Sequence, residues 1–443
     1  MKCLYVVLLC ALLFLSSLSE AKQLQCDVPA PAAILINAET GAILYEKNAH
    51  QLQFPASTTK IATALYALEK KGSFLQSPVV ASAEALGAVS TQIRRSSGAH
   101  PSYRLEFGGT HIGLKVGEIL PLRDLLYGLM LSSGNDAANV IAEYVSGSVP
   151  HFMEEMNTFL RASGCLHTHF TNPHGLPDPS HVTTAYDLAQ MARVGMKNVF
   201  FRQVVKTVSC PRPATNKQPE SVLVQTNGLL KSGPYYYPYA IGVKTGYTVS
   251  AGQALVAAAE KEGRNLIAVA LNCDDKASRY KAAVALFEAG FNEKKVQRKL
   301  FAKEYHHFTK EVKGAKSPVE AILQNDVYVE YYPSEEADFQ AAIKWDAIHL
   351  PTIAGEKVGQ LQIKDVHGVF YNSFPIYAAK DIQKTFIQVV VDVADSTQNV
   401  LRHHKQLIGL GFGCILLGSI FYRQHRKKKA HGKNWGVGPK RDS

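Results

Sequence analysis

The sequence predicts an α+β protein: an antiparallel sheet flanked by helices, with a helical lobe inserted between its early and late strands, followed by a small all-β domain and a C-terminal membrane helix. Three observations carry that reading. Extended segments joined by short turns stand at both ends of the stretch that closes at Phe291, helical periodicity fills its middle, and a charge-free run at 406–422 precedes a basic cluster. With 443 residues, 46% of them hydrophobic and 19% charged, the chain can bury a large core, which excludes a disordered, collagen-like or disulfide-scaffold protein.

At the N-terminus, Met1 and Lys2 precede an apolar run from Cys3 to Leu15, and Ser19 and Ala21 are small enough for a signal peptidase. Residues 1–21 are therefore expected to be an export signal, since the run is short for a bilayer span of ~20 residues. Residues 22–291 form the first domain. Ile34 to Ile36 and Ala42 to Tyr45 read as a hairpin about a turn at Asn37 to Gly41. A helix follows through Thr58 to Lys71, because Pro55 suits a first turn and Ile61, Leu65 and Leu68 recur at helical spacing. Leu122 to Lys197 is mostly helical, with Leu125, Leu129, Ala137, Val140 and Ile141 among its apolar positions. Ala240 to Thr245, Ala251 to Ala259 and Asn265 to Asn272 are then three extended segments whose short turns favour antiparallel pairing, and Ser278 to Ala289 reads as a closing helix.

Beyond Phe291, Lys-rich turns alternate with short β-like stretches such as Val327 to Tyr332, Ala347 to Leu350 and Leu361 to Ile363, so 292–395 is expected to be an all-β domain and 396–405 a linker. Gln406 to Tyr422 carries no charge and is followed by Arg423, Arg426, Lys427, Lys428 and Lys429. That stop-transfer pattern predicts a transmembrane helix at 406–422, a basic cytoplasmic tail at 423–443, and a body outside the cytoplasm. The tail holds +7 of the formal charge of +11, so the remainder is weakly basic and a nucleic-acid-binding role has little support. Cys26, Cys165, Cys210 and Cys273 lack paired ligand spacing, leaving disulfides and buried thiols both open. No His-Glu-x-x-His occurs, so a zinc peptidase is unsupported and no metal or cofactor is expected.

The chemistry begins at Ser57-Thr58-Thr59-Lys60, at the start of the first helix, where an i, i+3 spacing puts the hydroxyl and the amine on one face. A serine is a poor nucleophile until a neighbour takes its proton, and a lysine can do so when burial or another cation holds it neutral. Alone, the pair reads as a helix cap beside a solvated lysine, and Ser278-Arg279-Tyr280-Lys281 matches equally well. Two further blocks separate them. Ser133-Gly134-Asn135 offers a hydroxyl and an amide two positions apart, and Lys244-Thr245-Gly246 offers a cation, a hydroxyl and a residue without a side chain on the first late strand. The Ser278 match fails because it follows the Lys-Thr-Gly block instead of preceding it.

This ordered set resembles the penicillin-binding protein and serine β-lactamase superfamily, and in its neighbourhoods the low-molecular-mass D-alanyl-D-alanine carboxypeptidases. The similar blocks are Pro55-Ala56-Ser57-Thr58-Thr59-Lys60, Ser133-Gly134-Asn135-Asp136-Ala137-Ala138, Asn172-Pro173-His174-Gly175-Leu176 and Gly242-Val243-Lys244-Thr245-Gly246-Tyr247. The resemblance implies a β-lactamase/transpeptidase-like fold and an enzyme that removes the terminal D-alanine from peptidoglycan stem pentapeptides through an acyl-enzyme on Ser57. It implies Lys60 as base, Ser133 as proton relay, Asn135 on the substrate amide, and Lys244 and Thr245 on the terminal carboxylate. It also implies backbone N–H groups of Ser57 and Tyr247 as an oxyanion hole beside Gly246, worth ~3 kcal/mol per donor. β-Lactam antibiotics become covalent inhibitors, and the bacterial inner membrane the location, with the catalytic domain on the periplasmic side. D,D-endopeptidase or transpeptidase action and a catalytically silent cell-wall-binding protein are the alternatives. A β-lactamase of the class that deacylates through a Glu-x-x-x-Asn loop is disfavoured, because Glu154-Glu155-Met156-Asn157 has the wrong spacing.

Overall fold

The computed structural model describes residues 13–14, 22–95, 100–304, 307–335, 339–365 and 370–430. The expected export signal lies outside them apart from Leu13–Phe14, as does the tail from 431. Contacts divide the chain into a unit of Leu18–Gln297 with Glu330–Ala337, and a second of Arg298–Val329 with the residues from Asp338 onward.

In the first unit, β1 (Ala32–Asn37) and β2 (Ile43–Lys47) form the expected hairpin. A 3-10 turn at Ala56–Thr59 leads into α1 (Lys60–Lys71), whose residues are buried from Lys60 to Leu68, so it runs through the core instead of along a surface. The helical lobe comprises α2 (Leu122–Met130), α3 (Asn135–Ser146), α4 (Val149–Ala162), α5 (Ala185–Lys197) and α6 (Val199–Lys206). Side-chain caps start three of them: Ser148, Thr184 and Asn198 accept the backbone N–H groups of His151, Asp187 and Phe201. The late strands are β3 (Ala240–Thr248), β4 (Gly252–Lys261) and β5 (Arg264–Cys273), closed by α7 (Lys276–Phe291), which Asp275 caps.

These strands make one antiparallel sheet in the order β3-β4-β5-β1-β2, so the earliest strand lies beside the latest. Lys244, Val256, Val269 and Ile34 fall in one row across it. The alternation of the strands sorts the core into two layers. Ile34, Val256 and Val269 face the helical lobe, while Leu35, Leu255 and Ala268 pack with Leu286 and Phe287 of α7. Burying each large side chain of that kind contributes ~1.5–3 kcal/mol, which holds the sheet between two helical layers. Cys165, Cys210 and Cys273 are buried free thiols, and Cys26 is free and partly covered. The buried Arg264 guanidinium is shared by Glu293 and Glu335, which ties the Glu330–Ala337 segment to β5 and the end of α7.

The second unit is built on an antiparallel sheet of β6 (Phe308–Lys310), β7 (Val319–Ile322), β8 (Phe339–Trp345), β9 (Lys357–Asp365) and β10 (Phe370–Ala378), in the order β8-β9-β10-β7-β6 with Leu13–Phe14 paired to β8. Ala341, Leu361, Ile363 and Ile376 are buried in it. Ala347 to Leu350, expected as a strand, is a loop. The C-terminal expectation also needs correction. Residues 386–395 of the expected β domain, the expected linker at 396–405 and the expected transmembrane helix at 406–422 all belong to one helix of 45 residues, α8 (Phe386–Ala430). Among the described residues no helix is long and apolar enough to cross a membrane.

Candidate active site

Ser57 sits on the 3-10 turn that feeds α1, and Lys60 is the helix's first residue, so both side chains leave one turn on the same side. Ala56, immediately before the serine, has φ +49 and Ser133 has φ +61. A left-handed conformation costs a non-glycine residue ~1–2 kcal/mol, so the chain carries strain at two points of the proposed machinery.

Lys60 Nζ lies 3.0 Å from Ser57 Oγ, 2.7 Å from Asn135 Oδ1 and 2.6 Å from the carbonyl oxygen of His174. The last two accept only, whereas the serine hydroxyl can donate. A neutral amine fits all three: two N–H groups donate to Asn135 and His174, and the lone pair receives the Ser57 O–H. The electrostatics point the same way. Burial, then the like charge of Lys244, hold the Lys60 amine well below the ordinary lysine range, against a smaller opposing pull from Asp136.

Lys244 is buried in β3 with its ammonium donating to the Thr245 carbonyl at 3.0 Å, and burial followed by the nearby Arg279 guanidinium lowers its pKa to about 7. Thr245 Oγ1 is 3.0 Å from Thr226 Oγ1. Asn135 opens α3, and Ser133 is buried in the turn between α2 and α3. The neighbouring Asp136 accepts the backbone N–H groups of Ile112, Gly113 and Leu114, pinning the segment just beyond Thr110, whose carbonyl receives the Asn135 N–H.

Two glycines let backbone elements close on the nucleophile. At Gly246 a Cβ would lie 3.0 Å from the Pro55 carbonyl oxygen and 3.1 Å from the Ser57 nitrogen, so β3 lies directly against the turn. At Gly175, φ +92, a Cβ would stand 1.9 Å from the Ala56 carbonyl oxygen. A cleft of about 710 Å³ opens above them, lined by Ser57, Asn135, Gly175, Tyr247, Glu106 and Thr91 among others.

The structure thus brings Ser57, Lys60 and Asn135 into direct contact, sets Lys244 within electrostatic reach of Lys60, and puts Tyr247 on the cleft wall. Sequence reasoning missed three participants. His174 contributes through its main-chain carbonyl, which no side-chain pattern announces. Asp136 stood inside a quoted block without a role. Arg279, discarded with the Ser278 match, donates to the Gly246 carbonyl at 3.2 Å and to Gln253 Oε1 at 2.6 Å, beneath the strand that carries Lys244. The signal that could have found it is its position on the first turn of α7, which packs against the late strands.

Comparison with known proteins agrees with this geometry. The model of the D-alanyl-D-alanine carboxypeptidase family matches residues 18–275. D-alanyl-D-alanine carboxypeptidase DacF of Bacillus subtilis is 31% identical over 80% of this chain and 86% of its own length. DacB2 of Mycobacterium tuberculosis is 33% identical over 60% of this chain and 83% of its own. Among solved structures, the Streptomyces K15 DD-transpeptidase aligns with a TM-score of 0.52 at 31% identity, covering 60% of this chain and 98% of that one. The Francisella tularensis carboxypeptidase DacD, at 23% identity and a TM-score of 0.54, shares the fold across 84% of this chain and 97% of its own. With more than half its length matched and the site assembled from the matched part, the chain belongs to the D-alanyl-D-alanine carboxypeptidase family.

Proposed function

We propose that the protein removes the terminal D-alanine from peptidoglycan stem pentapeptides by a serine acyl-enzyme route, and that β-lactams inhibit it by acylating the same serine. The observation that carries this is the buried Lys60 amine held against the Ser57 hydroxyl with its two hydrogens already engaged. Ser57 Oγ attacks the carbonyl of the penultimate residue, forming the C–O bond as its proton passes to Lys60 Nζ. The negative charge on the carbonyl oxygen is met by the N–H groups of Ser57 and Tyr247, which the close approach at Gly246 supports. Breaking the C–N bond releases D-alanine, whose amine takes a proton through Ser133. Water, deprotonated by Lys60, then attacks the ester and frees the shortened peptide and Ser57. Asn135 serves twice, orienting Lys60 and holding the substrate amide. Lys244 and Thr245 receive the terminal carboxylate, and Lys244 also favours the neutral form of Lys60.

A transpeptidase outcome shares the acyl-enzyme and differs in the acceptor. The cleft of about 710 Å³ has room for an amine where water attacks, and the similar Streptomyces protein is described as a DD-transpeptidase. The location belongs to the same proposal: the leader-like residues 1–21 support export, and the charge-free run within α8 followed by basic residues supports attachment at the outer face of the membrane, helix against the bilayer.

Mass spectrometry of products from a synthetic stem pentapeptide tests the assignment. The expected result is a tetrapeptide plus D-alanine, with both this turnover and covalent labelling by a fluorescent penicillin lost in Ser57→Ala. Labelling that persists in that variant would overturn Ser57 as nucleophile, and a cross-linked product with an added amine would favour the transpeptidase reading.

A further inference from the structure

The wall of the catalytic cleft is built from glycines, hydroxyl-bearing and apolar residues, Asn135 and the buried His174, and among its described residues Glu106 alone is an acid, lysine or arginine. Lys60 and Lys244 are fully buried beneath it. Glu106 is half-buried, and among the described residues its carboxylate has no hydrogen-bond or ion-pair partner. The acids nearest it in sequence are engaged: Glu84 by Arg104 and Tyr103, and Glu118 by Thr215 and Gln218. A structural role accounts for those two and leaves Glu106 without one.

Its backbone is held firmly. Leu105–Glu106 pairs in parallel with Ala88–Val89, and the Glu106 carbonyl accepts the Gly109 N–H and His111 Nε2, each at 2.8 Å. The next residue along, Thr110, receives the Asn135 N–H at 2.8 Å. A Cβ added at Gly109 would stand 3.0 Å from the Glu106 carbonyl oxygen and 3.1 Å from Asn135 Nδ2. One bare glycine therefore separates the root of this carboxylate from the side chain assigned to the substrate amide.

That neighbourhood defines which part of a substrate Glu106 meets. In the proposed reaction the terminal carboxylate goes to Lys244 and Thr245 and the scissile carbonyl to Ser57, so the amide left for Asn135 is the one joining the penultimate residue to the third. The side chain of the third residue starts beside that amide. We infer that Glu106 is a specificity residue that receives a side-chain ammonium on the third residue of the stem peptide, an inference that rests on the proposed function. An unpaired carboxylate favours a cation over a neutral donor, and an ammonium on a flexible carbon stem can reach it. A stem able to act as amine acceptor in cross-linking must carry such a group, and acylation in the cross-link removes its charge. The cleft thus distinguishes free stems from cross-linked ones.

The test compares two peptides that differ only in that charge, Nα-acetyl-L-lysyl-D-alanyl-D-alanine and its Nα,Nε-diacetyl counterpart, by D-alanine release from the full chain. The unmodified protein should favour the free amine about threefold to fivefold in kcat/KM at low ionic strength, less as salt is added. The preference should fall to about one in Glu106→Gln, persist in part in Glu106→Asp and drop below one in Glu106→Lys. Each ratio is taken within one protein, so a general loss of activity cancels, and the Asp and Lys variants decide the matter should the Gln variant fold poorly. Equal kcat/KM for both peptides in the unmodified protein, or a preference unmoved in Glu106→Gln or Glu106→Lys, would overturn the role of Glu106 alone. Release from neither peptide by a protein that fluorescent penicillin still labels would overturn the proposed function, and this inference with it.

Discussion

Substituting Gly175 by alanine isolates the contribution of nucleophile placement from that of the catalytic groups themselves. The added Cβ would lie 1.9 Å from the Ala56 carbonyl oxygen and 2.4 Å from its carbon, where real Cβ atoms keep at least 3.0 Å, so one strand of backbone must move by about 1.1 Å. Both neighbours are main chain and cannot rotate aside, and the element displaced is the turn that carries Ser57. A shift near 1 Å in a reacting atom costs about 10²-fold in rate. The left-handed φ adds ~1–3 kcal/mol of strain to folding. Gly147 provides the control, because its φ of +80 is comparable and a Cβ there meets nothing within 4 Å. Gly147→Ala should therefore lose stability through conformation alone and acylate at the native rate, while Gly175→Ala should lose at least about 10²-fold in acylation. Rates of labelling by fluorescent penicillin, measured beside thermal unfolding of both variants, separate the two effects. Native acylation by Gly175→Ala would refute the claim that this close approach positions the serine, and so would an equal loss in the control.

The remaining predictions concern charge. Acylation by Lys60 needs the neutral amine, so kcat/KM should rise with pH through an acid limb well below the ordinary lysine range, and a limb near 10 would mean that burial and Lys244 do not depress it. Lys244 must be cationic to hold a carboxylate, so kcat/KM for a free-carboxylate substrate should fall as pH rises through about 7, and an amidated C-terminus should remove that fall. In Arg279→Gln the like charge lowering Lys244 is gone, so the alkaline limb should move to higher pH; a limb unmoved or shifted down would exclude Arg279 from that role. Arg264→Met leaves Glu293 and Glu335 facing each other without their cation and should cost ~3–5 kcal/mol in urea unfolding, against a much smaller loss when both glutamates are changed to glutamine as well.

Where one residue type alone fits the chemistry, the sequence was legible. Ser57 with Lys60 meant little until Asn135 and Lys244 stood downstream in order, and the structure joins three of those four directly and the fourth through its field. Strands β3, β4 and β5 were readable because their turns are short and their runs apolar on both faces. The His174 carbonyl was not, since every residue has one and only folding aims it. Arg279 was hidden because it supports the site from behind the strand instead of lining it. The helical extent of α8 was missed for a different reason: 386–405 mixes β-branched and polar residues without a strong period, and a composition that suits either state does not disclose which one is adopted.

The order β3-β4-β5-β1-β2 governs when the protein can first exist as a folded object. The opening hairpin has nothing to zip onto until residue 264 has been made, because its neighbour β5 begins there. Until then the growing polypeptide holds a two-stranded ribbon too small to persist, with one edge vacant. Closure of the sheet is thus deferred to the last stretch of the catalytic unit.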